Sequence, residues 1–452
     1  MRRGECRSAL WFHQLIVGWI VSLKNAPFAL MGHDHPGGGV CVMEVGTRRA
    51  VVSAARTACF GALLFAGTAS ASLAADPPSP RALYTFSDFA RPIGGLAIDK
   101  SGALFGATPE GGSKGCAGVG CGAVIKLSPP KRGGGRWQHE QIHVFSAEGG
   151  SDGVRPSASV VVGPDGSVYG TTLNGGGGKD RLCKDAVSDF DGCGTVFRLK
   201  KKGGKWVHEV LHAFKGGADG AYPEGLLAVD GAGAVYGTTR EGGKCGLAKI
   251  GCGIAYKISP PGKGRKSWTK STIHAFDPDR RSRQFGLLLA PDGTLVGTTE
   301  TGVVYRLSPR GKRWAYSVAF DFSTSRKPKP RNVMAIDGAG NLYGTGGGNL
   351  FRLKAPARPA GPWQYEMIET FDDARYGAYG TPAVNDAGAV FVAAHGNEIV
   401  ELLPPLDGTR EWRQLVAADF GRGGALSITL GKGGRLFGIG SFKKYVAFEV
   451  AP

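Results

Sequence analysis

The sequence predicts an all-β fold, a seven-bladed β-propeller of four-stranded blades, and three observations predict it. A Tyr/Phe-Gly-Thr hairpin recurs seven times, six tryptophans are each followed eight residues later by a phenylalanine, and the last repeat lacks a strand that the start of the processed chain can supply. Glycine supplies 75 of the 452 residues without a Gly-X-Y period, which excludes collagen and points to many tight turns.

The hairpins are AIDKSGALFGAT (97–108), VGPDGSVYGTT (162–172), AVDGAGAVYGTT (228–239), LAPDGTLVGTT (289–299), AIDGAGNLYGT (335–345), VNDAGAVFVAA (384–394) and LGKGGRLFGIG (430–440). Each is an apolar run, an Asp/Gly turn and a second apolar run, the pattern of a β-hairpin. The turn aspartates Asp99, Asp165, Asp230, Asp292 and Asp337 suit side-chain bonding to the turn backbone. The glycine inside each Tyr-Gly-Thr strand suits packing beneath a neighbouring ring.

The aromatic pairs are Trp137/Phe145, Trp206/Phe214, Trp268/Phe276, Trp314/Phe322, Trp363/Phe371 and Trp412/Phe420. An even offset places both rings on one face of a strand. Between hairpin and aromatic pair runs a third strand, such as GTVFRL (194–199), GIAYKI (253–258), GVVYRL (302–307) and NLFRL (349–353). Each unit therefore has strands a, b, c and d, and the short units repeat at about 46 to 49 residues, a propeller-blade length.

The seventh unit offers a (424–430), b (435–440) and c (444–450), and no d. The segment ALYTF at 82–86 matches LHAF (211–214) and IHAF (273–276), so an N-terminal strand completes the last blade and removes an open edge. A β-solenoid is the alternative, but it has no need of complementary ends.

The core G-L-x-x-D-x-x-G-x-x-Y-G-T-T is carried by Gly225, Leu226, Asp230, Gly233 and Tyr236 to Thr239, and G-T-V-F-x-L by Gly194 to Leu199. It resembles the GloVer-type tandem repeats of bacterial secreted and surface proteins, over nearly all of residues 82–450. The resemblance implies β-propeller-like repeats and no established activity.

Upstream, Arg48, Arg49 and Arg56 precede an apolar run from Ala58 to Ala69, and Ala69-Ser70-Ala71 and Leu73-Ala74-Ala75 offer cleavage sites. This reads as a signal peptide over 43–75. A twin-arginine signal at Thr47-Arg48-Arg49 is a weaker option, and twelve apolar residues are too few to span a bilayer. Residues 1–42 read as a disordered, non-native upstream extension. That leaves 76–452 as one propeller domain, secreted or periplasmic, with no transmembrane segment after processing, and monomeric.

Export permits oxidation of three local cysteine pairs, Cys116/Cys121, Cys183/Cys193 and Cys245/Cys252, each in a lengthened b–c connection. Metal binding is the alternative, but the gaps have no matching histidines and no zinc pattern.

The net charge is +18, and seven Lys/Arg and three Asp/Glu in residues 1–75 leave +14 for the rest. Much of it lies in the c–d turns of units one to four: Lys131, Arg132, Lys201, Lys205, Lys263, Arg265, Arg310 and Lys312. In a propeller these turns share a face and form a basic arc suited to an anionic partner. Solubility is the plainer reading of such turns.

The opposite rim gathers Asp88, Thr171, Thr172, Glu224, Thr238, Thr239, Asp277, Thr298, Thr299 and Asp372 as candidate ligand contacts. Gly111 to Gly115 and Gly149 to Gly153 match Gly-x-Ser-x-Gly, but both are glycine-rich loops without the strand-turn-helix a nucleophile elbow needs. His143, His212 and His274 occupy one repeat position two residues before the d-strand phenylalanine, which marks them as structural. No catalytic residue, metal or cofactor is indicated. The sequence argues for a binding module for a polysaccharide, another anionic polymer or a protein. The alternative is a carbohydrate-active lyase or hydrolase with paired carboxylates at the channel mouth.

Overall fold

A computed structural model describes residues 29–33, 40–45, 48–53 and 77–451, except 88–91, 93, 113–114, 117, 132–134, 147–150, 158, 179–182, 184–190, 245–251, 278–282, 331–333, 359–360, 372–377, 407–408, 410 and 442. The chain divides into two units, Met1–Asp76 and Pro77–Pro452. In the first, Ala29–His33, Val40–Val45 and Arg48–Ser53 pair as a three-stranded antiparallel sheet. Strand therefore occupies part of the segment read as a disordered extension, where valines recur along 40–52 and favour extended backbone.

The second unit is all-β. Its strands run a-b-c-d in antiparallel order, as in Val161–Val162, Val168–Asn174, Thr195–Lys202 and Lys205–Ala213. The next group is Ala221–Val229, Val235–Glu241, Ile254–Ser259 and Thr269–Ala275. Among the described residues seven such groups occur, called here sheets one to seven in order of their hairpins. In sheet seven the order is Gly424–Leu430, Leu436–Ser441, Tyr445–Val450 and Arg81–Thr85, with Val446 opposite Thr85 and Phe448 opposite Ala82. Inner strands of sheets three and four also touch, in parallel, at Leu226 and Gly286.

Seven apolar clusters fill the spaces between consecutive sheets. One joins Phe105 and Phe145 of sheet one to Phe197 and Leu199 of sheet two. Another joins Phe437 and Ile439 of sheet seven to Leu104 and Leu127 of sheet one. Across that same junction Thr429 Oγ1 donates to the Leu96 carbonyl at 2.7 Å.

The aromatic pairs depart from the expectation. Trp206 packs toward sheet one and Phe214 toward sheet three, and the other five pairs split in the same way. The cause is one extra residue in every d strand. Val196 pairs with His212 and Phe197 with Val210, so Leu211 is unpaired. The residues skipped in the other sheets are Ile142, Ile273, Ala319, Ile368, Ala417 and Leu83. A β-bulge shifts the alternation by one, so an even offset changes face. All seven bulge residues are apolar and pack with the phenylalanine side.

The glycine of the Tyr-Gly-Thr strand lies under a ring, as the sequence suggests. A Cβ on Gly170, Gly237, Gly297 or Gly344 would collide with Phe197, Tyr256, Tyr305 or Phe351 respectively. In sheet six the covering residue is Val400, and its partner position holds Val392 instead of glycine. The turn aspartates bond their own turns: Asp230 Oδ1 accepts from the Ala232 and Ala234 amides at 3.0 and 2.8 Å.

Candidate functional site

Inner strands of sheets one to four, six and seven line a central cavity of about 830 Å3. Its walls are largely aliphatic, and its charged groups among the described residues are Arg155, Glu224 and Arg283. Nη2 of Arg283 donates to both carboxylate oxygens of Glu224, at 2.7 and 2.8 Å. That hydrogen bond raises the Arg283 pKa, outweighing the opposing effect of burial.

The disulfide loops position the cavity rim. Cys116–Cys121 and Cys183–Cys193 are bonded; Cys252 is disulfide-bonded as well, and Cys245 lies outside the described residues. The Arg155 amide donates to the Cys121 carbonyl at 3.0 Å, and the Tyr222 amide to the Cys193 carbonyl at 2.9 Å. Each of these two loops thus holds the second residue of the strand that follows it, Val154–Pro156 or Ala221–Val229. Arg155 and Tyr222 both have φ of 56°, a left-handed conformation that non-glycine residues keep only when the surroundings enforce it.

Of the ten rim candidates, Glu224 lines the cavity. Thr171, Thr172, Thr238, Thr239, Thr298 and Thr299, named as rim candidates, are buried. The second threonine of each pair secures the b–c connection: Thr172 Oγ1 accepts from the Thr195 amide, Thr239 Oγ1 from Ile254 and Thr299 Oγ1 from Val303, at 3.0–3.1 Å. The first threonine binds the inner strand, as Thr171 does with Ser157 at 2.7 Å and Thr238 with the Glu224 carbonyl at 3.3 Å. The hydroxyls of Thr171, Thr172, Thr238, Thr239 and Thr299 are taken up within the fold. Asp277 is exposed, and Asp88 and Asp372 lie outside the described residues. Sequence reasoning missed Arg155, inside the short strand Val154–Pro156, and Arg283, just before the strand Gln284–Leu289.

On the c–d turns, Lys131, Lys201, Lys205, Lys263, Arg265, Arg310 and Lys312 are exposed, and Arg132 lies outside the described residues. The a–b aspartates meet cations set back from the tips, Asp165 with Lys200 at 3.5 Å and Asp292 with Arg306 at 3.1 Å. None of the seven described turn cations joins an ion pair among the described residues.

Between sheets one and two, Asp152 takes His143 Nε2 at 3.2 Å and His208 Nδ1 at 2.9 Å. The imidazoles stack at 4.1 Å, 2° from parallel. These three side chains have the composition of a metal site. However, a metal binds in the plane of each imidazole, and parallel stacked rings cannot share one. The next junction repeats the arrangement with a lysine: Asp219 takes His212 at 3.0 Å and Lys270 at 2.9 Å. Burial raises both carboxyls, but the hydrogen bonds from their His and Lys partners prevail and hold them well below the usual range. The same two repeat positions stack as Tyr84 on His139 and His274 on Tyr316. The histidines are inter-sheet structure.

The sequence pattern of the Gloeobacter/Verrucomicrobia repeat matches residues 76–302. No curated protein matches the chain as a relative. Among solved structures, YCF48 bound to D1 peptide is similar at 15% identity, covering 84% of this chain and 97% of its own, with a TM-score of 0.52. YCF48 from Cyanidioschyzon merolae follows at 14%, 83%, 99% and 0.50. The Swd1 β-propeller domain from Myceliophteria thermophila has 11% identity, covering 82% and 100%, with a TM-score of 0.47. Such likenesses concern the fold alone, and that fold is all-β with propeller neighbours.

Proposed function

The chain belongs to the Gloeobacter/Verrucomicrobia repeat family, and from that premise we propose an exported, monomeric, seven-bladed propeller that binds an anionic polymer through its c–d turn face. In this reading the pairing of Arg81–Thr85 with Tyr445–Val450 closes the ring. Closure places the turns of blades one to four side by side. The observation that carries the binding assignment is the set of exposed cations on four successive turns that join no ion pair among the described residues, with the nearby aspartates held by their own turns or by inner cations. An acidic polysaccharide is the favoured ligand. A folded partner with an acidic surface would use the same groups, and YCF48, with its D1 peptide, is a neighbour of this fold that binds a peptide.

A carbohydrate-active enzyme would need two carboxylates within about 10 Å at the channel. Among the described lining residues Glu224 is the one carboxylate, and it is paired with Arg283.

The test is affinity for alginate across a salt series, with heparin as a second polyanion. Wild-type protein binds with an affinity that falls steeply with salt. The combined reversal of Lys201, Lys205, Lys263 and Arg265 to Glu lowers affinity more than tenfold and flattens the salt dependence. Binding that ignores the four reversals overturns the assignment.

A further inference from the structure

We propose that the central cavity is a second, separate site, which takes an aliphatic carboxylate, and that Glu224 fills in for the ligand's carboxylate while the site is empty. This does not depend on the turn-face reading. The cavity's volume of about 830 Å3 falls in the range of small-ligand pockets. Leu96, Ile98, Val160, Leu173, Leu226 and Ile428 supply the apolar walls. Flat sugar faces are recognised on aromatic rings, and Phe285 is the single ring among the described lining residues, so an aliphatic body suits this space better than a saccharide.

The charged groups fit that ligand's head. Arg155 and Arg283 both line the cavity, and a guanidinium matches a carboxylate with paired N–H donors. Arg155 is held at its left-handed φ with its amide on Cys121, inside the loop closed by the Cys116–Cys121 disulfide. Glu224 engages Arg283 through Nη2 alone among the described residues, although a guanidinium carries five N–H donors. The remaining N–H groups of Arg283 can donate to a carboxylate that displaces Glu224.

The experiment is calorimetric titration of the oxidised full chain with octanoate and with N-acetyl-Leu-Leu-Leu, each beside its primary amide. These probes separate a fatty acid from a peptide end as the natural source. At least one carboxylate binds, and its amide binds at least tenfold more weakly. Arg283→Gln lowers affinity at least tenfold, and Glu224→Gln raises it severalfold by removing the internal competitor. A purely structural ion pair predicts that both substitutions lower the melting temperature and neither tightens binding. Should Arg283→Gln unfold the protein, which melting reports, Glu224→Gln decides alone. Absence of binding by both carboxylates, equal binding of acid and amide, or weaker binding by Glu224→Gln overturns the proposal.

Discussion

Trp206 and Phe214 lie eight residues apart on one strand and face opposite neighbours, Trp206 packing on sheet one and Phe214 on sheet three. The single unpaired Leu211 between them converts a strand with one apolar face into one that binds two adjacent sheets. Every outer strand repeats the device, including Arg81–Thr85, where Leu83 is skipped and Phe86 enters the core between sheets seven and one.

Removing that extra residue should therefore be far worse than shrinking it. Leu211→Ala leaves the bulge in place and costs about 2 kcal/mol, toward the low end for a buried leucine. Deletion of Leu211 reverses the facing of the aromatic pair and should abolish the cooperative melt. Circular dichroism of the two variants distinguishes them; equal melting temperatures would contradict the role of the bulge.

Gly237 has no room for a methyl group beneath Tyr256. Gly237→Ala should destabilise by about 1–3 kcal/mol, the usual cost of overpacking. Gly231, which has open space around it, tolerates alanine within about 0.5 kcal/mol. Double substitution of Gly237 to Ala and Tyr256 to Val, the combination sheet six approaches with Val392 and Val400, should recover part of the loss. Chemical denaturation measures all three.

The depressed carboxyls of Asp152 and Asp219 give stability a defined pH dependence. A carboxylate whose pKa is lowered by folding stabilises above its unfolded value of about 3.9, and that contribution drains away as pH falls through the folded value. The melting-temperature gap between wild type and Asp152→Asn or Asp219→Asn should be greatest above about pH 5 and shrink steadily from about pH 4 downward. A gap independent of pH would show that the carboxylates are not held ionised by their His and Lys partners.

Reducing the disulfides should loosen the cavity rim before it unfolds the protein. Each closes a short loop, and loop entropy assigns about 2–3 kcal/mol per bridge. The paired change of Cys183 and Cys193 to Ser should increase amide exchange at Tyr222, whose N–H is bonded to the Cys193 carbonyl, more than at Val235 in the adjacent buried strand. Uniform loss of protection across the sheet would contradict local anchoring.

The repeat, the strand order and the role of the turn aspartates were legible because each is written locally and several times over. The parity of the outer strand was not read, although a signal existed: an apolar residue stands five positions after each tryptophan, as Ile142, Leu211 and Ile273 do, and an odd offset is incompatible with simple alternation. The threonines looked like rim residues because they end a strand. Their burial depends on the next strand's amides needing an acceptor, a need set by the b–c connection. Arg155 and Arg283 were invisible as a pair because about 128 residues and one whole sheet separate them in sequence; the inner strands bring them to one cavity.

The proposed ring closure by Arg81–Thr85 underlies the assignment of both faces, and a cross-link tests it most directly. Thr85 and Val446 are direct partners across antiparallel strands, a separation that permits a disulfide. In the Thr85→Cys, Val446→Cys variant, mild oxidation should give an intramolecular bond, identified by peptide mass in monomeric protein, with a raised melting temperature. Free thiols after oxidation, or a bond formed only between chains, would contradict closure.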